Sequence, residues 1–174
     1  NRVRRQRQMC IRDRFNAIKE YCEVNEGIQI HLKKNIPVGA GLGGGSSNAA
    51  TTLIALNKIW DLHLSREELA KIGKPLGADI PIFIYGKNAI ATGIGDVFLD
   101  VEFIKSKFLL ICPNIEVSTG EMFRKLKIDK LSNKHQNSFL DNLLRENKSI
   151  KEFYASNIND YDLKLSGTGS TLFI

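Results

Sequence analysis

Apolar and polar positions along this chain change period several times, and each change marks an element. Phe15, Ile18, Tyr21 and Cys22 recur at helical spacing, so residues 15–25 read as a short amphipathic helix. Ile28, Ile30 and Leu32 then alternate with Gln29, His31 and Lys33, which predicts a strand with one wet face, ended by Pro37. Helical spacing returns at Leu53, Ile54, Leu56, Ile59 and Trp60, giving a helix over residues 47–60 with Ser46 or Ser47 as its N-cap. Ser65-Arg66-Glu67-Glu68 is a capping box that opens another helix, ending near Gly73. The apolar run Ile82-Phe83-Ile84-Tyr85 reads as a strand, and residues 88–101 read as a β-hairpin turning around Gly93 and Gly95. Residues 108–112 form a buried-type strand closed by Pro113. Ser118 or Thr119 starts a helix through Leu126, and two more helical stretches cover 138–145 and 149–155. Strands at 163–165 and 171–174 flank a tight turn. Hairpin-like pairs outnumber clean strand-helix-strand units, so the fold class is α+β.

Residues 37–50, PVGAGLGGGSSNAA, fit none of these periods. Five glycines and two serines build no core, and no ordinary turn needs so many. A glycine-rich loop that opens a helix lets backbone N–H groups approach an anion, with the positive end of the helix behind them. Two familiar phosphate binders compete for this stretch. Gly39, Gly41 and Gly44 satisfy G-x-G-x-x-G, but a dinucleotide site also wants an acidic residue at the end of a second strand about 20 residues on. Here that distance lands on Asp61, at the end of a helix. The other rival, G-x-x-x-x-G-K-S/T, is absent, and the loop holds no lysine. What remains is a loop holding phosphates by amides and hydroxyls, with its reactive groups supplied from elsewhere. Phosphoryl transfer needs a group to orient or deprotonate the attacking hydroxyl. Asp79, set after Gly77 and ahead of an apolar run, is the best candidate.

Composition narrows the picture further. The chain has 174 residues, enough for one domain or one and a fraction. No apolar run approaches a membrane span, and no secretory signal opens the chain. Cys10, Cys22 and Cys112 match no zinc or disulfide spacing, which favours a reducing, cytoplasmic setting. His63 and His135 have no metal-ligand partner at useful spacing, and Trp60 and Phe83 read as core. The formal net charge of +6 is concentrated at one end. Residues 1–14 hold six of the 25 basic residues and one of the 19 acidic ones, leaving 19 against 18 over residues 15–174. A nearly neutral body without interleaved basic and aromatic residues argues against nucleic acid as a partner. Residues 1–14 read as a non-native or disordered basic tail.

The glycine loop, Gly77-Ala78-Asp79-Ile80-Pro81 and Ser166-Gly167-Thr168-Gly169-Ser170 together resemble the three motifs of the GHMP kinases, over residues 28–174. The match is best to a member acting on a diphosphocytidyl-linked sugar alcohol in non-mevalonate isoprenoid synthesis. Homoserine or mevalonate kinase activity, or a non-catalytic nucleotide- or RNA-binding protein, are the alternatives. The resemblance implies a GHMP kinase fold with a ribosomal-protein-like N-terminal part (residues 15–105) and a ferredoxin-like C-terminal part (106–174). It implies ATP and Mg2+ as cofactors, a small-molecule substrate, a bacterial cytoplasmic enzyme, and a monomer or weak homodimer without membrane partners. Pro37, Val38, Gly39, Ala40, Gly41, Leu42, Gly43, Gly44, Gly45, Ser46 and Ser47 would wrap the triphosphate, with Ser46 or Ser47 near magnesium. Asp79 would be the catalytic base, and Gly167 and Gly169 would lie beside the substrate. Asn137 matches a family asparagine only loosely and receives no role. The family's catalytic lysine, on an N-terminal strand, has no counterpart here, and the family continues beyond its third glycine motif. On that comparison the chain is expected to be an internal fragment truncated at both ends, with little or no kinase activity.

Overall fold

Helix α1 (Arg2–Tyr21) begins well ahead of Phe15, where the apolar spacing sets in. Arginine is a good helix former, so a change of composition need not end a helix. The computed structural model describes residues 2–93, 95, 97–102, 106–113, 115–126 and 137–174, and of residues 2–11 the backbone alone. His135 lies outside the described residues. The chain divides into two units, Asn1–Leu32 with Gly45–Ile104, and Lys33–Gly44 with Lys105–Ile174.

In the first unit, α1 packs with α2 (Gly44–Ile59), α3 (Arg66–Gly73) and α4 (Ile80–Tyr85). Ile18, Ala49, Ala50, Leu53, Leu56, Leu69, Ile72, Ile80 and Ile84 form the core, and Phe15 and Trp60, edge to face with each other, pack against it. Arg14, the last residue of the basic segment, is buried and donates to the Leu76 carbonyl at 2.7 Å. A Cβ at Gly73 would lie 2.6 Å from Ile80 and 3.3 Å from Leu53, so glycine there allows α3 its close approach. Four expectations change in this unit. Residues 28–32 take no strand conformation, and Ile30 and Leu32 are exposed; alternation alone does not supply a pairing partner. The run 82–85 is helical, with Pro81 at the second helical position, where a missing N–H costs nothing. Phe83 is exposed instead of core. Finally, α2 starts at Gly44, which places Ser46 and Ser47 in its first turn and not at its N-cap.

The capping box at α3 forms in full. Glu68 Oε2 accepts from the Ser65 N–H and hydroxyl, both at 2.8 Å, while the Glu68 N–H donates to Ser65 Oγ at 3.2 Å. The bond from the Ser65 backbone N–H, then that from its hydroxyl, hold the Glu68 carboxyl below its ordinary value. A carboxyl lowered by folding stabilises above its unfolded pKa, and the contribution is lost as pH falls through the folded value. Ser65→Ala should therefore cost about 1 kcal/mol at neutral pH. The gap between variant and wild type should narrow in acid, which thermal melts across pH would check.

The hairpin also forms: β1 (Ala89–Thr92) pairs antiparallel with β2 (Val97–Asp100), and Gly93 supplies a positive φ at the turn. Tyr85 stacks on Phe98, and its hydroxyl donates to Asp100, which Lys87 also contacts at 3.2 Å.

The second unit is built on a three-stranded antiparallel sheet in the order β3-β5-β4, from β3 (Leu110–Ile111), β4 (Lys164–Leu165) and β5 (Leu172–Phe173). Helices α5 (Thr119–Lys125), α6 (Leu140–Glu146) and α7 (Lys148–Asn157) accompany it. Met122, Leu140, Leu143, Ile150, Tyr154, Leu163, Leu165 and Leu172 make its core. Ser118 caps α5 through the Glu121 N–H, and Asn147 caps α7 through the Ile150 N–H. Strand β3 is shorter and wetter than its composition suggests: Phe108, Leu109 and Leu110 are all exposed, since an edge strand has a neighbour on one side only.

Candidate functional site

The glycine loop is built on alternation. Gly39, Gly41 and Gly43 have φ of 66°, 72° and 65°, whereas Ala40 and Leu42 between them stay on the ordinary side. Successive residues of opposite hand turn their N–H groups toward one point, a concavity that suits an anion. Only glycine takes the positive angles at little cost, which is why the sequence places one at every second position.

The carbonyls of the same residues are tied into the second unit. Gly39 O accepts from the Val117 N–H at 2.9 Å, Ala40 O from the Thr171 N–H at 3.1 Å, and Gly41 O from Ser166 Oγ at 2.8 Å. The Ala40 N–H follows a turn at Val38–Gly39, but among the described residues no backbone carbonyl takes the N–H groups of Gly39, Gly41, Leu42 or Gly43. Acceptors are thus consumed and donors are left over. An apolar lining would leave such donors unsatisfied at a cost, so their natural partner is an anion or water.

The second glycine turn lies against this loop. The Ser166 N–H donates to Thr171 O at 2.9 Å and the Gly169 N–H to Ser166 O at 3.0 Å, which closes the turn. Gly167 and Gly169 both carry positive φ. A Cβ at Gly167 would stand 2.8 Å from Gly41 O, whereas one at Gly169 would meet Leu143 and Leu165 at 3.0 and 3.3 Å. Gly167 thus faces the loop and Gly169 the core. Thr119 and Thr168 share a hydroxyl bond of 3.1 Å, and the fully buried Ser170 donates to Ile115 O at 2.5 Å.

Pro37 and Val38 lead into the loop. Ala40 is buried, and Leu42 is half-buried. Gly44 backs onto Ile36 and begins α2, while a Cβ at Gly45 would meet nothing within 4 Å. Ser46 and Ser47 follow in the first unit, half-buried in the first turn, where the N–H groups through Ser46 have no intrahelical acceptor. Asp79, also in the first unit, occupies the position before α4. It is exposed, and its side chain makes no capping bond. Its carboxylate is therefore uncommitted to the helix it precedes. No cluster of three or more histidine, cysteine or carboxylate ligands that would hold a metal occurs among the described residues.

Sequence reasoning did not select Val117 and Thr171, named Ser166 only as part of the third glycine motif, and gave Asn137 no role; the first three reach the loop from 78 or more residues away. Asn137 Nδ2 donates to Leu165 O at 2.9 Å and to Gly167 O at 2.8 Å, and its Oδ1 accepts from the Phe139 N–H. An asparagine two residues ahead of a helical segment is a local signal that was available.

Comparison with known proteins agrees with this geometry. Residues 9–87 match the GHMP kinases N terminal domain, so the match begins inside the basic segment. The chain is 40% identical over 168 residues to 4-diphosphocytidyl-2-C-methyl-D-erythritol kinase of Methylococcus capsulatus, covering 90% of this chain and 57% of that protein. With the enzyme of the same name from Polynucleobacter necessarius it shares 48% over 109 residues, 63% of this chain and 37% of the relative. This chain therefore spans between about two fifths and three fifths of the length of these relatives. A crystal structure of 4-(cytidine 5'-diphospho)-2C-methyl-D-erythritol kinase superposes with a TM-score of 0.74 at 27% identity, over 92% of this chain and 67% of that one. No helix is long and apolar enough to cross a membrane among the described residues. These likenesses relate the chain to the GHMP kinases, whose N-terminal domain it matches over residues 9–87.

Proposed function

We propose that the chain takes part in ATP-dependent phosphorylation of the 2-hydroxyl of 4-diphosphocytidyl-2-C-methyl-D-erythritol, in isoprenoid precursor synthesis in the bacterial cytoplasm. The observation that carries this reading is the loop whose carbonyls are consumed and whose amides are not. Residues 37–47 would wrap the triphosphate, those after Pro37 offering backbone N–H groups, with the N-terminal end of α2 adding its partial positive charge. Asp79 would accept the proton of the attacking hydroxyl, a task suited to a carboxylate that no cap occupies. A magnesium ion, when bound with the nucleotide, neutralises phosphate charge. Ser46 or Ser47 would supply a hydroxyl to it, and the phosphates most of the remaining oxygens, since no acidic cluster among the described residues competes. Gly167 keeps the second turn small enough to sit beside the loop, Gly169 lets it pack on Leu143 and Leu165 behind, and both would lie beside the substrate.

Names and identities of the relatives support this substrate over homoserine or mevalonate. No observation favours nucleic acid, and a monomer or weak dimer suffices for the reading.

Calorimetric titration of the chain with magnesium-ATP tests the cradle. Gly45→Ala sharpens the result, because a methyl there meets open space and replaces a helical glycine. Its stability should hold or rise by about 0.5–1 kcal/mol. ATP affinity should fall nonetheless, since the methyl obstructs close approach of phosphate. Unchanged affinity in this variant would count against a triphosphate lying over the first turn of α2.

A further inference from the structure

Two side chains outside the loop bear on where the Gly41 carbonyl sits. We infer that Ser166 and Asn137 are positioning residues for the phosphate loop, acting in series through the second glycine turn; this rests on the cradle reading above. Ser166 Oγ bonds Gly41 O directly, joining residues 125 apart in sequence. This is the one side-chain bond among the three that tie the loop carbonyls; the other two come from backbone N–H groups of Val117 and Thr171. Ser166 itself is placed by the turn, and the turn is held from behind by Asn137.

The Asn137 carboxamide uses all of its geometry. Its NH2 bridges Leu165 O and Gly167 O, the carbonyls on either side of Ser166, while its oxygen takes the Phe139 N–H at 2.9 Å. It therefore fixes the start of the segment leading into α6 to the residues that aim the Ser166 hydroxyl. A carbonyl swung out of its bond turns the whole peptide plane, because the peptide is rigid. Loss of the Ser166 bond frees the plane shared by Gly41 O and the Leu42 N–H, and so misdirects one of the amides that converge on the anion. Neither side chain touches phosphate in this arrangement. Their effect is on the direction of the amides.

The test is magnesium-ATP titration at 15 °C, well below melting, with Tm recorded for every variant. Ser166→Ala should weaken ATP binding about fivefold, the scale of one lost hydrogen bond. Ser166→Thr, which keeps the hydroxyl, should restore it. Asn137→Asp keeps the acceptor for Phe139 but loses both donations and sets a carboxylate against two carbonyls. It should weaken ATP by at least about tenfold. Rescue by threonine is the readout that a purely structural role would not move. If Ser166→Ala and Asn137→Asp bind ATP within about twofold of wild type, whatever their Tm, the inference is overturned. Should Asn137→Asp fail to fold, the Ser166→Ala and Ser166→Thr pair decides alone. If the unsubstituted chain binds no ATP, the cradle reading itself fails and takes the inference with it.

Discussion

Gly41→Ala should unfold or severely loosen the second unit and abolish ATP binding with it. A methyl group at this position would stand 2.2 Å from Ser166 O and 2.8 Å from the Gly169 N and O atoms. All three are backbone atoms, so no side chain can rotate away to make room. The residue also carries φ of 72°, which costs a non-glycine residue about 1–2 kcal/mol before any clash is counted. Together these place the substitution among the rare changes that exceed about 4 kcal/mol. For a unit of this size the melting temperature should drop by well over ~10 °C. Calorimetric unfolding measures it, and a melt within a few degrees of wild type would mean that the two glycine turns are not locked as described. Gly45→Ala is the matched control: it lies in the same motif, faces open space, and should not destabilise.

Asp79→Asn should produce the opposite profile, with fold retained and catalysis lost. The side chain is exposed and makes no capping bond, so the amide replaces the carboxylate at little cost to stability. If Asp79 accepts the proton of the attacking hydroxyl, its loss should lower kcat by about 10²–10⁴-fold in the intact gene product, the usual scale for a general base. If the loop amides hold the phosphates, ATP affinity should change little. Steady-state kinetics with ATP and the cytidyl substrate, set beside calorimetric ATP binding, separates the two effects. Near-wild-type turnover would remove Asp79 from the role of base.

The contrast between these variants shows how differently the two motifs were written into the chain. Gly41 is glycine because of neighbours 125 and 128 positions away, whereas Asp79 is exposed at the end of a short local turn. Elements governed by contacts within four residues were legible from composition and period. The Ser65–Glu68 capping box, the Gly93 hairpin turn and the Ser118 cap each follow from side chains that bond their own backbone nearby. Residues 82–85 were not legible, since four apolar residues fit a buried strand and a helix equally well. Packing of Ile80 and Ile84 into the first core, with Pro81 at the second helical position, selected the helix. Likewise Ile28, Ile30 and Leu32 alternate as a strand would, yet no partner strand among the described residues gives their backbone a ladder.

For the candidate site, what was legible locally is the alternation of positive φ angles along the glycine loop and the helix beginning at its end. Tertiary structure decided what the loop is attached to. Residues 33–44 belong with the C-terminal half of the chain, and Val117, Ser166 and Thr171 hold its carbonyls. No periodicity could announce those partners. Backbone hydrogen bonds between distant residues depend on where the chain returns in space, and any residue with an N–H can supply them. The glycine spacing thus set the backbone angles of the loop, and the fold chose the partners that hold its carbonyls.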